Sequence, residues 1–173
     1  SDIILLAVGP TQIIELIDEI CPNLNENQLL ISIVSGVSIS EIQEKVGERI
    51  PIVRSMPNTA ASLCESMTCL STTPQFSDKL NTAKALFENV GKTLIIEEKQ
   101  MASATALCAC GIAFFLRAIR AASQGGIEIG FHSDEAFTIA SQTARGAATL
   151  LLDDSTHPEQ EIDKVINGYN NLI

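Results

Sequence analysis

Three short runs rich in Ile, Leu and Val, at residues 3–8, 29–34 and 50–54, constrain this chain more than any other feature. Each has the length of a strand, and a strand that is apolar at every position has to be covered on both faces. Thr11–Ile20 and Ser38–Val46 fill the intervals with apolar residues at helical spacing, with Thr11 and Ser38 or Ser40 as N-caps. Further strands are expected at 67–72 and 93–96, separated by a helix over about 78–90 that stops at Gly91. This alternation of strand and helix reads as the second half of a doubly wound α/β sheet.

From about Glu97 the strand signal disappears, which divides the chain into residues 1–96 and 97–173. Gln100–Ile129, Ser133–Asp153 and His157–Tyr169 are expected as helices, the second with Ser133 as its cap and Glu135 in its first turn. Ala102, Ala104, Ala106, Ala109, Gly111 and Ala113 crowd one stretch, and Ala121, Ala122, Gly125, Gly126 and Gly130 another. A mid-helix glycine costs about 1 kcal/mol relative to alanine, so consecutive glycines require a packing or ligand reason.

Charge and cysteine content narrow the function classes. A net charge of −10 argues against nucleic acid or an anionic membrane as partner. The apolar runs Ile3–Val8 and Leu29–Val34 are too short to span a bilayer, and nothing in the first residues reads as a signal peptide. Five cysteines without a disulfide framework suit the cytoplasm. Cys108 and Cys110 lack a second pair at zinc-site spacing, so they are expected as small residues at a tightly packed helix start and no metal is expected.

The run Met56-Pro57-Asn58-Thr59 ends the third apolar segment, at the edge where an open α/β sheet binds ligands. It resembles the Met-Pro-Asn-Thr-Pro loop of pyrroline-5-carboxylate reductases, with Ala60 in place of the second proline. Four further segments are similar to that family in the same order. Ser1–Pro10 resembles its strand ending in Ala-Val-Lys-Pro, and Ile31–Val37 its Ser-x-Ala-Ala-Gly-Val turn. Ala104–Phe114 resembles its Ala-Leu-Ser-Gly-Ser-Gly-Pro-Ala-Tyr stretch. Gln142-Thr143, Gly146–Ala148, His157-Pro158 and Asp163–Val165 resemble its C-terminal helical region.

The resemblance implies a Rossmann-type sheet followed by an all-α dimerisation domain, and reduction of the cyclic imine 1-pyrroline-5-carboxylate to L-proline with NADPH or NADH. It also implies that the small-residue helices build a homodimer or higher homo-oligomer, against the alternative of packing within one chain. The cofactor-binding candidates are Ala7, Val8, Gly9, Pro10, Val34, Ser35, Gly36, Asn58, Thr59 and Lys164. For Gly9 and Gly36 the competing reading is a turn with positive φ; for Asn58 and Thr59, turn capping; for Lys164, a solvated helix-end charge. His132 and His157 are expected to cap helices or line turns rather than to transfer protons, and Glu65, Glu97 and Glu98 to be solvated.

Two expected motifs do not occur in these residues. There is no Gly-x-Gly-x-x-Gly, so the chain is expected to begin at a later strand of the fold. Nor does the family's Pro-Gly-Gly-Thr-Thr loop follow Val165, which leaves the catalytic donor and carboxylate anchor unassigned. A fragment of a reductase is the expected account. Gly9, Ala60, Cys108 and Ile112 depart from the family pattern and support the alternative of a catalytically inactive paralogue serving as a dimeric binding module. A reductase acting on another imine or carbonyl ranks third.

Overall fold

The computed structural model describes residues 2–153 and 157–170; Ser1, the first residue of the Ser1–Pro10 segment above, lies outside them. The chain forms two compact units, Ser1–Ile112 and Ala113–Ile173. The first therefore extends beyond the last strand and takes in the start of the helical region.

In the first unit, strands β1 (Ile3–Leu6), β2 (Leu29–Ser32), β3 (Ile52–Met56), β4 (Ser66–Thr72) and β5 (Gly91–Ile95) form one sheet in sequence order. β1, β2 and β3 are parallel, with Leu6 opposite Ser32 and Ser32 opposite Arg54. β4 runs antiparallel to β3 and parallel to β5. The reversal follows from connection length: only residues 57–65 separate β3 from β4, and a parallel crossover needs roughly a dozen residues or more.

Helices α1 (Ile13–Ile20) and α2 (Ile39–Val46) cover one face of the sheet, where Leu6, Ile13, Ile17, Leu30, Ile39, Ile42 and Ile52 pack together. Helix α3 (Lys79–Phe87) covers the other through Leu29, Ile31, Val53, Leu70, Ala83 and Phe87. Successive residues of β2 thus serve opposite cores, which is why Leu29, Leu30 and Ile31 are all apolar. A third cluster joins Met56 and Cys69 to Met101, buried in the short helix α4 (Met101–Ala104).

The caps follow local chemistry. At α2 the expected Ser38 cap forms a complete capping box: the Glu41 N–H donates to Ser38 Oγ at 3.2 Å, and the Ser38 N–H donates to Glu41 Oε2 at 2.7 Å. The Ser38 hydroxyl also donates to that carboxylate at 2.6 Å. These two Ser38 donors, side chain first, hold the Glu41 carboxyl below its ordinary value, with a smaller contribution from the Arg54 charge.

Some expected boundaries shift. α1 begins after Gln12 rather than Thr11, and the Gln12 side chain accepts the Gly9 N–H at 3.1 Å. Gly91 does not end α3, which stops at Phe87; it opens β5 at φ +146°, and a Cβ there would lie 2.0 Å from the Ser66 carbonyl oxygen. The expected helix from Gln100 is interrupted by a π-helical turn, Thr105–Ala109. The Thr105 hydroxyl donates to the Met101 carbonyl at 2.8 Å, and the Cys110 N–H reaches Thr105 O at 2.9 Å, five residues back.

The second unit holds most of α5 (Gly111–Glu128), with α6 (Ser133–Asp153) and α7 (Pro158–Asn170). Gly130, at φ +111°, ends α5: the Phe131 N–H reaches Gly126 O at 3.1 Å and the Gly130 N–H reaches Ile127 O at 3.0 Å. Ser133 is the first residue of α6 rather than its cap; the Glu135 carboxylate accepts the His132 N–H at 2.9 Å. Gly126 lets α5 approach α6, since a Cβ there would sit 3.0 Å from Ala136 Cβ. Phe114, Phe115, Leu116, Phe137 and Leu152 are exposed. The helical stretch Glu98–Glu128 is long and apolar enough, by length and composition, to cross a bilayer, which the shorter apolar runs had not suggested.

Two outcomes are expected. Gly91→Ala should lower unfolding free energy by about 2–4 kcal/mol in urea titrations, because both φ and the Ser66 backbone reject a side chain. Glu41 contributes stability above its unfolded-state value of 4.5, and that contribution is lost as pH falls through its lowered folded-state pKa. The stability difference between wild type and Glu41→Gln should therefore be present near neutral pH and shrink steadily below pH 4.5.

Candidate functional site

Because β1, β2 and β3 are parallel and adjacent, their C-terminal ends open onto one edge of the sheet. The segments after them, Ala7–Pro10, Val34–Gly36 and Pro57–Thr59, hold nine of the ten candidate cofactor residues together with Pro57. β1 and β2 stay paired as far as the Ile33 N–H, which donates to Leu6 O at 3.1 Å. Beyond it the two chains turn into loops.

Each candidate contributes differently. Ser35 and Gly36 are exposed; Gly36 has φ +78°, and no heavy atom lies within 4 Å of where its Cβ would sit. Ala7 and Pro10 are exposed, while Val8 packs against the core of its face. Gly9 is not in the positive-φ region; its hypothetical Cβ would meet only the Gln12 side chain, at 3.1 Å. Val34 is buried and its N–H donates to Ser32 Oγ at 3.3 Å, so the loop's exposed surface comes from Ser35 and Gly36.

Asn58 acts as a cap, the alternative weighed for it above. Its Oδ1 accepts the Ala60 N–H at 3.0 Å and starts a 3-10 turn over Thr59–Leu63. Its Nδ2 donates to the Cys108 carbonyl at 3.3 Å, and its backbone N–H donates to Ser66 Oγ at 3.1 Å. One side chain thereby joins the strand-end loop to the π-helical turn. Thr59 follows, exposed on the rim.

Arg54 escaped the sequence reading, and Glu98 was expected there only as a solvated acid. Arg54, 7% exposed, lies within β3 and pairs with Glu98 Oε1 at 3.4 Å. The same oxygen accepts the Ile39 N–H at the start of α2 at 2.6 Å. Glu98 is thus a structural anchor rather than a solvated acid. The available signal was an arginine inside a buried strand, which requires a carboxylate partner from elsewhere in the chain.

In the second unit, Lys164 donates to Glu161 Oε1 at 2.6 Å on α7. His157 caps that helix, its Nδ1 accepting the Glu159 N–H at 3.3 Å. An apolar groove of about 810 Å³ runs between α5 and α6, lined by Phe115, Ala122, Gly126, Ile129, Phe131 and Ala140 among others.

Residues 98–167 match the family model for pyrroline-5-carboxylate reductase dimerisation. A pyrroline-5-carboxylate reductase of Dictyostelium discoideum is 51% identical over 94% of this chain, which spans 32% of that protein. A second from the same organism is 42% identical over 94% of the chain, which spans 60% of it. Among solved structures, the pyrroline-5-carboxylate reductase of Coxiella burnetii superposes with a TM-score of 0.89 at 28% identity, over 95% of this chain and 62% of its own. That of Plasmodium falciparum with NADP bound gives 0.86 at 28% identity, over 95% and 63%. The chain belongs to the pyrroline-5-carboxylate reductase family, and spans between about a third and two thirds of the length of these relatives.

Proposed function

We propose that this chain supplies the strand-end half of a dinucleotide site and the dimerisation helices of an enzyme that reduces 1-pyrroline-5-carboxylate to L-proline with NADPH or NADH. The observation that carries this reading is the convergence of three parallel strand ends, including the Met56–Thr59 loop, in a chain similar to a reductase with NADP bound. The free cysteines suit a cytoplasmic setting.

The residues fit a dinucleotide on one structural ground: open space faces Gly36, where a side chain would intrude, beside the exposed Ser35. When bound, the nicotinamide cofactor supplies the hydride. This chain's part is to bind and orient. Ser35 and Gly36 present backbone to the ligand, Thr59 presents a hydroxyl at the rim, and Asn58 positions their loop by holding it to the π-helical turn. No residue of this chain is assigned to proton transfer or to the substrate carboxylate.

The exposed Phe114, Phe115, Leu116 and Phe137 support a homodimer or higher homo-oligomer through the helices. A dimeric module without turnover is the second reading, favoured by Gly9 standing where the family carries lysine.

Imine-dependent oxidation of NADPH by a full-length protein carrying this sequence separates the two readings, because residues 1–173 alone are expected to be inactive on either. Turnover there supports the reductase; dimerisation without turnover supports the module. Light scattering should give at least twice the 18.5 kDa of one chain, and Phe115→Glu should return it toward 18.5 kDa with helicity retained. Asn58→Ala should cost about 1–2 kcal/mol of stability and raise the KM for NADPH roughly tenfold; Asn58→Asp should keep the cap and recover about half the stability loss.

A further inference from the structure

We propose that Cys69 and Cys108 are a reversible dithiol site, oxidised to an intramolecular disulfide that ties β4 to the π-helical turn beside the Asn58 loop. The two sulfurs lie 3.5 Å apart, from residues far apart in sequence and within the same compact unit. A disulfide needs about 2.05 Å, a closure of roughly 1.5 Å. The π-helical turn bears Cys108, and its register is already broken by the Thr105 hydroxyl, so the closure falls where the helix is least regular.

The two thiols have different environments. Cys69 is buried with Met56 and Met101, and burial followed by the Cys108 contact pushes its thiol up to about 12. Cys108 is half-buried, less enclosed than Cys69, and is therefore the thiol taken to meet oxidant first. Peroxide oxidises the Cys108 thiol to a sulfenic acid and is reduced to water. The Cys69 sulfur then attacks the sulfenic sulfur; the S–S bond forms, the S–O bond breaks, and the hydroxyl leaves as a second water with the Cys69 proton. Two thiols lose two hydrogens and one peroxide gains them. Thiols restore the site by exchange.

The remaining cysteines do not share this geometry. Cys21 donates to the Lys45 carbonyl at 3.4 Å, and Cys64 and Cys110 are exposed. Asn58 connects the pair to the strand-end loop, since it donates to the carbonyl of Cys108 itself. Oxidation therefore pulls on the residue that holds the candidate cofactor loop.

The test is a non-reducing peptide map of the full chain after limited peroxide, in wild type and in a Cys21→Ser, Cys64→Ser, Cys110→Ser background. The expected result in both is a Cys69–Cys108 linked peptide pair, lighter by two hydrogens and reversed by dithiothreitol. Cys69→Ser should leave Cys108 as a sulfenic acid that dimedone captures. Cys69 remaining fully alkylatable while Cys108 is oxidised, or links confined to Cys64 and Cys110, would overturn the assignment. The triple-serine background changes no residue of the pair, so loss of the link there counts against the proposal once circular dichroism shows the fold intact.

Discussion

The buried guanidinium of Arg54 organises the first unit. An arginine cannot shed its charge, and a buried charge left unpaired costs several kcal/mol, far more than one exposed ion pair contributes. Lys45–Asp18 is such an exposed pair, worth about 0–1 kcal/mol at most. Arg54 instead has to recruit a carboxylate, and Glu98 reaches it from just beyond β5. Glu98 also accepts the first N–H of α2, so one carboxylate fastens β3, α2 and the segment leading into the helical region. Met101 follows three residues later and fills the apolar cluster under the end of β3.

From this anchor the strand-end edge takes its form. β3 is pinned at Arg54, and beyond Met56 the chain turns through Pro57 into the Asn58 cap. The short link to β4 forces the antiparallel return, which brings Ser66 under the Asn58 N–H and Cys69 opposite Cys108. The same segment that places a candidate cofactor loop thus places a thiol pair next to it. Ser35, Gly36 and Thr59 are exposed at this edge, while their neighbours Val34 and Asn58 are committed to holding the loops.

Much of this was legible in the sequence. All five strands and the covering helices were expected close to where they lie, the first three from runs rich in Ile, Leu and Val and the helices from their spacing, since tertiary packing and local propensity agree there. Ser38 was one of two residues expected to cap α2; that Glu41 completes a capping box with it emerges only from the structure. Gly91 was misleading, because a glycine after a helical stretch suggests a helix stop, whereas its role is close approach to Ser66 across the sheet. The π-helical turn depends on one threonine hydroxyl competing for a carbonyl, which composition does not reveal. Glu98 looked like a surface acid because its partners, Arg54 and the Ile39 N–H, are distant in sequence. The Asn58 reading named both ligand contact and turn capping, and the hydrogen bonds show the cap.

The most direct test of the strand-end assignment is an amide-resolved NMR titration of the protein with NADPH. Shifts concentrated at Gly9, Ser35, Gly36 and Thr59 are predicted, with smaller ones at Cys108 and Ala109 transmitted through Asn58. Shifts confined to the helices after Ile112, or to the opposite ends of β1 to β3, would contradict the account.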